Sequence, residues 1–384
     1  MAQPVAGLNP ALLVWARERA GLTVAQVADA LGKSPQIISS WEAGTSAPTY
    51  VQLEKLAYTV RRPIALLFFP EPPRELDPHQ SFRTLPDFEI DELSAETRFR
   101  IRQARAVQLS LGELSDGANP SSRFILRDLP TVAANPAKAA EQIRQFLGID
   151  LATQRSWRSN RQALSAWRAA VEAVGVFVFK DTFKQRDVSG FSLYDTEFPI
   201  IYINNSTAKT RQMFTLFHEL GHLLFHTNGV TKRDDSYIRV LHGEARDVEI
   251  FCNRFAADVL VPESALAAED LAATDQNIAR LARSFNVSRE VILRRLLDRG
   301  VVSRTVYEMK AKEWAADYFE AKASEEGGGD YYATQASYLS DTYTRLAFHR
   351  YYQGSISIED LARHLNMKIG SVSSFEQAVL QKAG

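Results

Sequence analysis

The chain has 384 residues, 45% of them hydrophobic, a net charge of -1 and a single cysteine, Cys252. That length holds two to four domains. The near-neutral charge excludes a global polyanion-binding character, and one cysteine excludes both an intramolecular disulfide framework and a cysteine-rich metal site. A lone thiol suits a reducing compartment. No basic-then-apolar leader opens the sequence, and no apolar run approaches the ~20 residues a membrane helix needs. We therefore expect a soluble, cytoplasmic protein without a membrane partner.

Taken in chain order, residues 10–73 read as five short helices. Leu12, Leu13, Trp15 and Ala16 begin the first, which stops near Gly21. Thr23 is a good N-cap for the second, whose apolar positions are Val24, Val27, Ala28 and Leu31. Gly32-Lys33 makes a tight turn, and Ser34-Pro35 opens a third helix with Ile37, Ile38 and Trp41 expected inward. Leu53, Leu56 and Ala57 mark a fourth, and Ile64–Phe69 a fifth before the prolines at 70, 72 and 73.

Two short helices joined by a glycine turn, with an apolar face on the helix that follows, make a helix-turn-helix. Gly21-Leu22-Thr23, Val27-Ala28, Leu31-Gly32, Ser34, Ile38-Ser39 and Trp41-Glu42-x-Gly44 resemble the Cro/C1-type (XRE) helix-turn-helix family over about sixty residues. The resemblance implies that Gln36, Ser39 and Ser40 face a DNA major groove, where Gln suits adenine edges. Two features depart from the family. Val24 stands where a phosphate-binding Gln is common, and the recognition helix has no Arg. Six basic residues against five acidic ones over 1–73 supply little phosphate neutralisation, so a monomer should hold DNA weakly. Protein docking through the same fold stays open.

Residues 74–134 read as a charged connector around a helix at about 95–114. Its arginines Arg98, Arg100, Arg102 and Arg105 are expected on the solvated side of an amphipathic helix whose apolar positions are Phe99, Ile101, Ala104, Val107 and Leu111. Asn135-Pro136 then opens a helix that reaches Leu147-Gly148, and a further helix spans 163–174. Residues 176–179, 190–194 and 199–203 are β-rich, with Asp195–Phe198 suited to a hairpin between the last two. The strand before the next helix is expected to be the edge that takes an extended peptide. Asn205 or Ser206 can cap that helix, which should run through to His226.

This helix contains His218-Glu219-x-x-His222. Residues four apart lie on one helix face about a turn apart, so two imidazoles can aim at one ion. Glu219, one step round, can reach a water rather than the ion itself. Leu216, Phe217, Leu220, Leu223 and Leu224 make the helix a buried one, where a His-Glu pair needs a reason. The pattern is that of a zinc peptidase with Glu219 as general base.

A catalytic zinc takes three protein ligands and keeps one open position. His226 is ~12 Å along the axis from His218, too far for one straight helix to bring both to one ion. Phe225 and Asn228 exclude the longer metzincin motif. The candidate we favour is Glu249, on a second helix that ends before Pro262; Glu244, Asp247 and His242 remain alternatives. Asn253, one turn on, can hold Glu249 or cap a backbone group. The pattern Phe214-Thr215-x-x-His218-Glu219-x-Gly221-His222, then Glu249-x-x-x-Asn253-x-Phe255-Ala256, resembles the ImmA/IrrE metallopeptidases, with Cys252 where that family has Ala. The resemblance is strongest over residues 135–265. It implies a cytoplasmic, site-specific zinc endopeptidase that cuts a transcriptional repressor or related regulator, often in mobile-element or DNA-damage control.

Residues 266–384 read as helical. Ala282-x-x-Phe285-Asn286 and Ala362-x-x-Leu365-Asn366 echo Ala28-x-x-Leu31-Gly32, a spacing that serves any tight helix corner. Glu325–Asp330 is expected to be a linker, and the tyrosines from 331 to 352 a packing surface. The whole is expected to be mainly α with a small β-sheet: a five-helix helix-turn-helix domain (1–73), a helical connector (74–134), an α+β zincin-like metallopeptidase domain (135–265) and a helical C-terminal region (266–384). The expected cofactor is zinc. The expected partners are a protein substrate and double-stranded DNA, with a homodimer left open. Tyr237, Arg239 and His242 are the nearby candidates for an oxyanion donor. A reading from another class remains: a DNA-binding regulator or antitoxin whose peptidase-like domain senses or is vestigial.

Overall fold

The computed structural model describes residues 3–75, 77–129, 131–323 and 331–383. The Glu325–Asp330 linker lies outside them. Two compact units result: one comprises residues up to Arg105 with Phe183–Gln185, and the other the remainder. The chain is mainly helical with one small four-stranded sheet, as expected.

The first unit opens with helices Pro10–Arg19, Val24–Leu31, Pro35–Glu42 and Tyr50–Thr59. Thr23 and Gln26 form a reciprocal capping box at the second, and Gly32 at φ 64° makes the turn that only a residue without Cβ adopts freely. Leu13, Ala16, Val27, Ala28, Ile38, Trp41, Leu53 and Leu56 form the core. Arg17 pairs with Glu42 at 2.6 Å, tying the first helix to the third. Two expectations need correction. The fifth element is a 3-10 segment, Ile64–Phe68, rather than an α-helix. Ile37 is 38% exposed, because the eight-residue third helix turns only Ile38 and Trp41 inward. Ser34 occupies the N-cap before Pro35, as expected, although its side chain makes no capping hydrogen bond.

A larger correction concerns helix Ala95–Leu114. Arg98 is buried, and its guanidinium donates to the carbonyls of Leu93 (3.0 Å) and Ile90 (2.8 Å). Arg102 donates to the Arg61 carbonyl at 3.0 Å, and Arg100 pairs with Glu96 at 2.8 Å. Arg98 and Arg102 thus satisfy carbonyls of other segments instead of facing water, a use of five planar donors that periodicity alone does not reveal.

The second unit is built on strands β1 (Phe177–Asp181), β2 (Val188–Leu193), β3 (Ile200–Asn204) and β4 (Gly229–Lys232), in the order β1-β3-β2-β4. β1 and β3 are parallel; the other pairs are antiparallel. The hairpin at Asp195–Phe198 forms because Asp195 Oδ1 accepts from the backbone N–H groups of Glu197 and Phe198, both at 2.9 Å. Phe179, Tyr202 and Phe191 stand in register on three neighbouring strands and stack at 5.2 Å each. Tyr343 of helix Asp341–Tyr352 packs edge-on against Phe179 and covers that face. Gly190, next to Phe191, faces the other way, where a Cβ would lie 2.5 Å from Thr215.

The strand that precedes the His-Glu helix is β3, an interior strand. The edges are β1 and β4, and β4, which follows that helix, was not expected. Four residues beginning at Asn228-Gly229 look like a turn, and only Val230-Thr231 hints at a strand. The helix itself runs from Lys209 to Leu224, with Ala208 at its N-cap. Asn205 and Ser206 do not cap it, because the side chain of Asn204 already organises the turn by accepting from Ser206 N and Oγ. Leu216, Phe217 and Leu220 join the unit's core, with Trp167 edge-on to Phe217 at 4.9 Å. Helices Asp275–Phe285 and Arg289–Asp298 meet at Asn286, φ 54°, and the corner after His364 uses Asn366 at φ 52°. The echo of Ala28-x-x-Leu31-Gly32 is therefore a shared left-handed helix end.

Candidate metal centre

Helix periodicity stacks His218 and His222 one turn apart, and their Nε2 atoms are 3.2 Å from each other. Helix Gly243–Leu260 packs across them. Close approach is possible because residue 221 is glycine: a Cβ there would lie 2.8 Å from Cys252 Sγ. The crossing brings Glu249 against both imidazoles, with Oε2 3.4 Å from His218 Nε2 and Oε1 3.3 Å from His222 Nε2. All three residues are at most 1% exposed. Among the described residues they form the one group of three or more His, Cys, Asp or Glu whose ligand atoms converge. Glu244, Asp247 and His242 are exposed and stand outside it.

The donor set fits a zinc ion. Zinc bonds of 2.0–2.2 Å in a tetrahedron put neighbouring ligand atoms roughly 3.3–3.6 Å apart; the two imidazole nitrogens are 3.2 Å apart, and each has one Glu249 oxygen within 3.4 Å. Glu249 Oε1 is buried and accepts no hydrogen bond. Burial opposes the charge on Glu249, yet the facing imidazoles of His222 and His218 hold its carboxyl well below the usual carboxylate range. Burial likewise opposes charge on His222, but Glu249 and then Glu219 raise its pKa. With the two imidazoles neutral, their Nε2 lone pairs and the Glu249 carboxylate would face one point in a site closed to water, where a cation would be held strongly.

Asn253 does not hold Glu249. Its Oδ1 lies 3.1 Å from His218 Nδ1 and accepts that proton, leaving Nε2 free to bind an ion. The reason is register: Asn253 sits on the same helix as Glu249, one turn on, beside the first imidazole rather than beside its own neighbour. His226 lies just beyond the helix end at φ 56°, exposed and stacked on Tyr194 at 4.9 Å.

Glu219 is fully buried and is not among the converging atoms. Thr231 donates to its Oε1 through N (2.9 Å) and Oγ1 (2.6 Å), and Ser192 Oγ donates to Oε2 at 2.6 Å. Sequence reasoning missed both partners; they come from β2 and from the unforeseen β4. Gly229 lets β4 come this near, since a Cβ there would lie 2.3 Å from His222 Cδ2 and 2.6 Å from Glu219 Oε2. Of the oxyanion candidates, Tyr237 donates to Glu249 at 2.9 Å, Arg239 pairs with Glu308 at 3.1 Å, and His242 is the exposed N-cap residue of the Glu249 helix.

Residues 171–297 match the IrrE N-terminal-like domain, and residues 13–64 match the helix-turn-helix family. The chain carries an IrrE N-terminal-like domain behind a helix-turn-helix. The IrrE N-terminal-like match spans the sheet, both metal-centre helices and the helix pair that meets at Asn286. Two similar proteins are the radiation response metalloprotease IrrE of Deinococcus radiodurans, 32% identical over 117 residues, and that of Deinococcus deserti, 34% identical over 116. Each alignment covers 28% of this chain, and 34% and 38% of the two relatives. The chain therefore spans little more than a third of the curated relatives it matches.

In the helix-turn-helix unit, Gln36 and Ser39 are exposed on the third helix. Ser40 is half-buried; its hydroxyl donates to the Ile37 carbonyl at 2.8 Å and lies 2.6 Å from Ser46 Oγ. Among the described residues, no helix is long and apolar enough to cross a membrane.

Proposed function

We propose that the protein is a zinc-dependent endopeptidase acting on a protein regulator of transcription. The observation that carries this reading is the convergence of His218, His222 and Glu249, all buried, with Glu219 adjacent to the first of them. His218, His222 and Glu249 would hold the ion. Zinc in such a set supplies Lewis-acid polarisation of a scissile carbonyl and makes a water acidic. Glu219 takes the proton of the attacking water and delivers it to the leaving amine nitrogen. Ser192 and Thr231 fix the carboxylate that does this. A structural ion would not need such a base.

The substrate class follows from the chain's composition of units. A helix-turn-helix on the same polypeptide supports a regulator as substrate, engaged through DNA or directly, with Gln36, Ser39 and Ser40 as the contact residues. The similarity to proteins named radiation response metalloprotease favours a stress-linked role. We place the activity in the cytoplasm, where the unpaired, buried Cys252 suits a reducing environment.

One observation favours a second reading. Glu219 and the three candidate ligands are closed to solvent, so a peptide reaches them only after local opening. A regulator that uses the bound ion as a sensor, with no turnover, would need no such opening. The test uses the full chain. Zinc content is measured, and the Glu219→Gln variant traps a bound regulator that the native protein is then asked to cut at one peptide bond. Cleavage by the native protein alone supports the peptidase. Intact cellular function in Glu219→Gln, with function lost on changing the recognition helix, overturns it.

A further inference from the structure

Between β4 and the Glu249 helix the chain makes a 3-10 turn, Ser236–Arg239. Its one buried side chain is Tyr237; Ser236 and Arg239 face outward. An interior phenol needs an acceptor for its hydroxyl. Tyr237 finds it in Glu249 Oε2, at 2.9 Å. The second oxygen, Oε1, is buried and accepts no hydrogen bond. Each oxygen faces one imidazole, Oε2 at 3.4 Å from His218 and Oε1 at 3.3 Å from His222, but the two are unlike: Oε2 also holds the phenol, and Oε1 accepts no hydrogen bond. A carboxylate free to rotate could offer both oxygens to an ion and fill the position a substrate needs.

The turn is fixed from outside as well. Asp235, just before it, forms an ion pair with Arg294 of helix Arg289–Asp298, and both side chains are partly shielded. Arg294 also donates to the Tyr307 hydroxyl at 3.3 Å, which orients the guanidinium. The pair Arg239–Glu308 at the other end is exposed and contributes little.

The geometry points to Tyr237 as a positioning residue that reserves a single Glu249 oxygen for the metal, with the Asp235–Arg294 pair holding Tyr237 in place. The inference rests on reading His218, His222 and Glu249 as a metal centre. Residues around ligands commonly set affinity by a factor of about ten to a hundred, and a phenol on a ligand carboxylate belongs to that group.

The test uses the full-length protein, with zinc affinity read by chelator competition and ligand geometry by the visible absorption of the cobalt(II)-loaded form. Tyr237→Phe keeps the ring and removes the hydroxyl. We expect zinc binding weakened about tenfold to a hundredfold and an altered cobalt spectrum. Arg294→Met should weaken zinc in the same direction, and should add nothing in the Tyr237→Phe background, because both changes act through one contact. Wild-type zinc affinity and cobalt spectrum in Tyr237→Phe overturn the positioning role. Equal effects of Arg294→Met in both backgrounds overturn the link to Asp235. Should Tyr237→Phe fail to fold, Arg294→Met decides: if folded, with native affinity and spectrum, it overturns the inference. A native protein that binds no zinc fails the metal-centre reading itself, a result distinct from all of these.

Discussion

Thr231 donates twice to one oxygen of Glu219, through its backbone N–H at 2.9 Å and its hydroxyl at 2.6 Å. Ser192 occupies the other oxygen at 2.6 Å. A buried carboxylate with three donors is fixed in position, and position is what a general base requires. Thr231→Val removes one donor and keeps the strand's N–H; Ser192→Ala removes another. Each should lower turnover about tenfold while zinc stoichiometry stays native, since neither touches His218, His222 or Glu249. Turnover measured beside zinc content checks this; lost zinc in either variant would mean that these residues support the ligands instead.

Glu219→Gln keeps the shape of the side chain and removes its basicity. Zinc should remain bound, because Glu219 stands apart from the converging ligand atoms. Cleavage should fall by a factor of about 10² to 10⁴, the usual contribution of a positioned base. Full cleavage by the variant would assign the proton transfer elsewhere.

Gly229→Ala tests how closely β4 is fitted to the site. The added Cβ would lie 2.3 Å from His222 Cδ2 and 2.6 Å from Glu219 Oε2, distances no real methyl tolerates. An imidazole in a packed interior cannot retreat cheaply, so the strand must shift at a cost of about 1–3 kcal/mol. We expect weaker zinc binding and a lower melting temperature together. Melting curves and metal analysis on one preparation would show it; native values for both would mean the strand moves freely.

How much of this was legible beforehand depends on the range of the signal. His218 and His222 are four apart on one helix, so spacing alone put them on one face with Glu219 a step round. The helix-turn-helix was readable because Thr23 and Gly32 carry their own cap and turn chemistry. Ser192, Thr231 and Tyr237 were not readable. They reach the site through strand order and a 3-10 turn, and β4 is four residues long without alternation. Asn253 was expected to touch the site, but on the wrong partner, because sequence gives helix spacing and not the crossing of two helices. Arg98 and Arg102 escape the helix periodicity for a related reason: their carbonyl acceptors belong to other segments.

On the recognition helix, Gln36 and Ser40 should behave differently. Gln36 is exposed with its amide available for a base edge. The Ser40 hydroxyl is committed to the Ile37 carbonyl and to Ser46. If the unit reads DNA, Gln36→Ala should cost about 1–3 kcal/mol on the preferred site, and Ser40→Ala much less. Titration of both variants against a selected duplex at fixed salt would check the ranking. Equal, small effects of both would favour protein docking.

Asp258 and Glu263 both reach the Arg295 guanidinium at 2.6 Å, and Asp258 and Arg295 are buried. Burial is the main cause that lifts the Asp258 carboxyl from 3.8 to about 6; Arg295 opposes the rise and Glu263 adds to it. A folded-state pKa above the unfolded value means that the fold favours the protonated acid. Its contribution to stability is therefore complete below about pH 3.8 and is lost as pH rises through about 6. Two pKa units correspond to at most about 3 kcal/mol. Asp258→Asn fixes the neutral state, and Glu263 remains to pair with Arg295. Between pH 4 and 7 the variant should lose less stability than the native chain, by an amount of order 1–3 kcal/mol at pH 7. Denaturant titrations across that range measure the slope. Parallel slopes for the two proteins would mean that Arg295 keeps Asp258 ionised throughout.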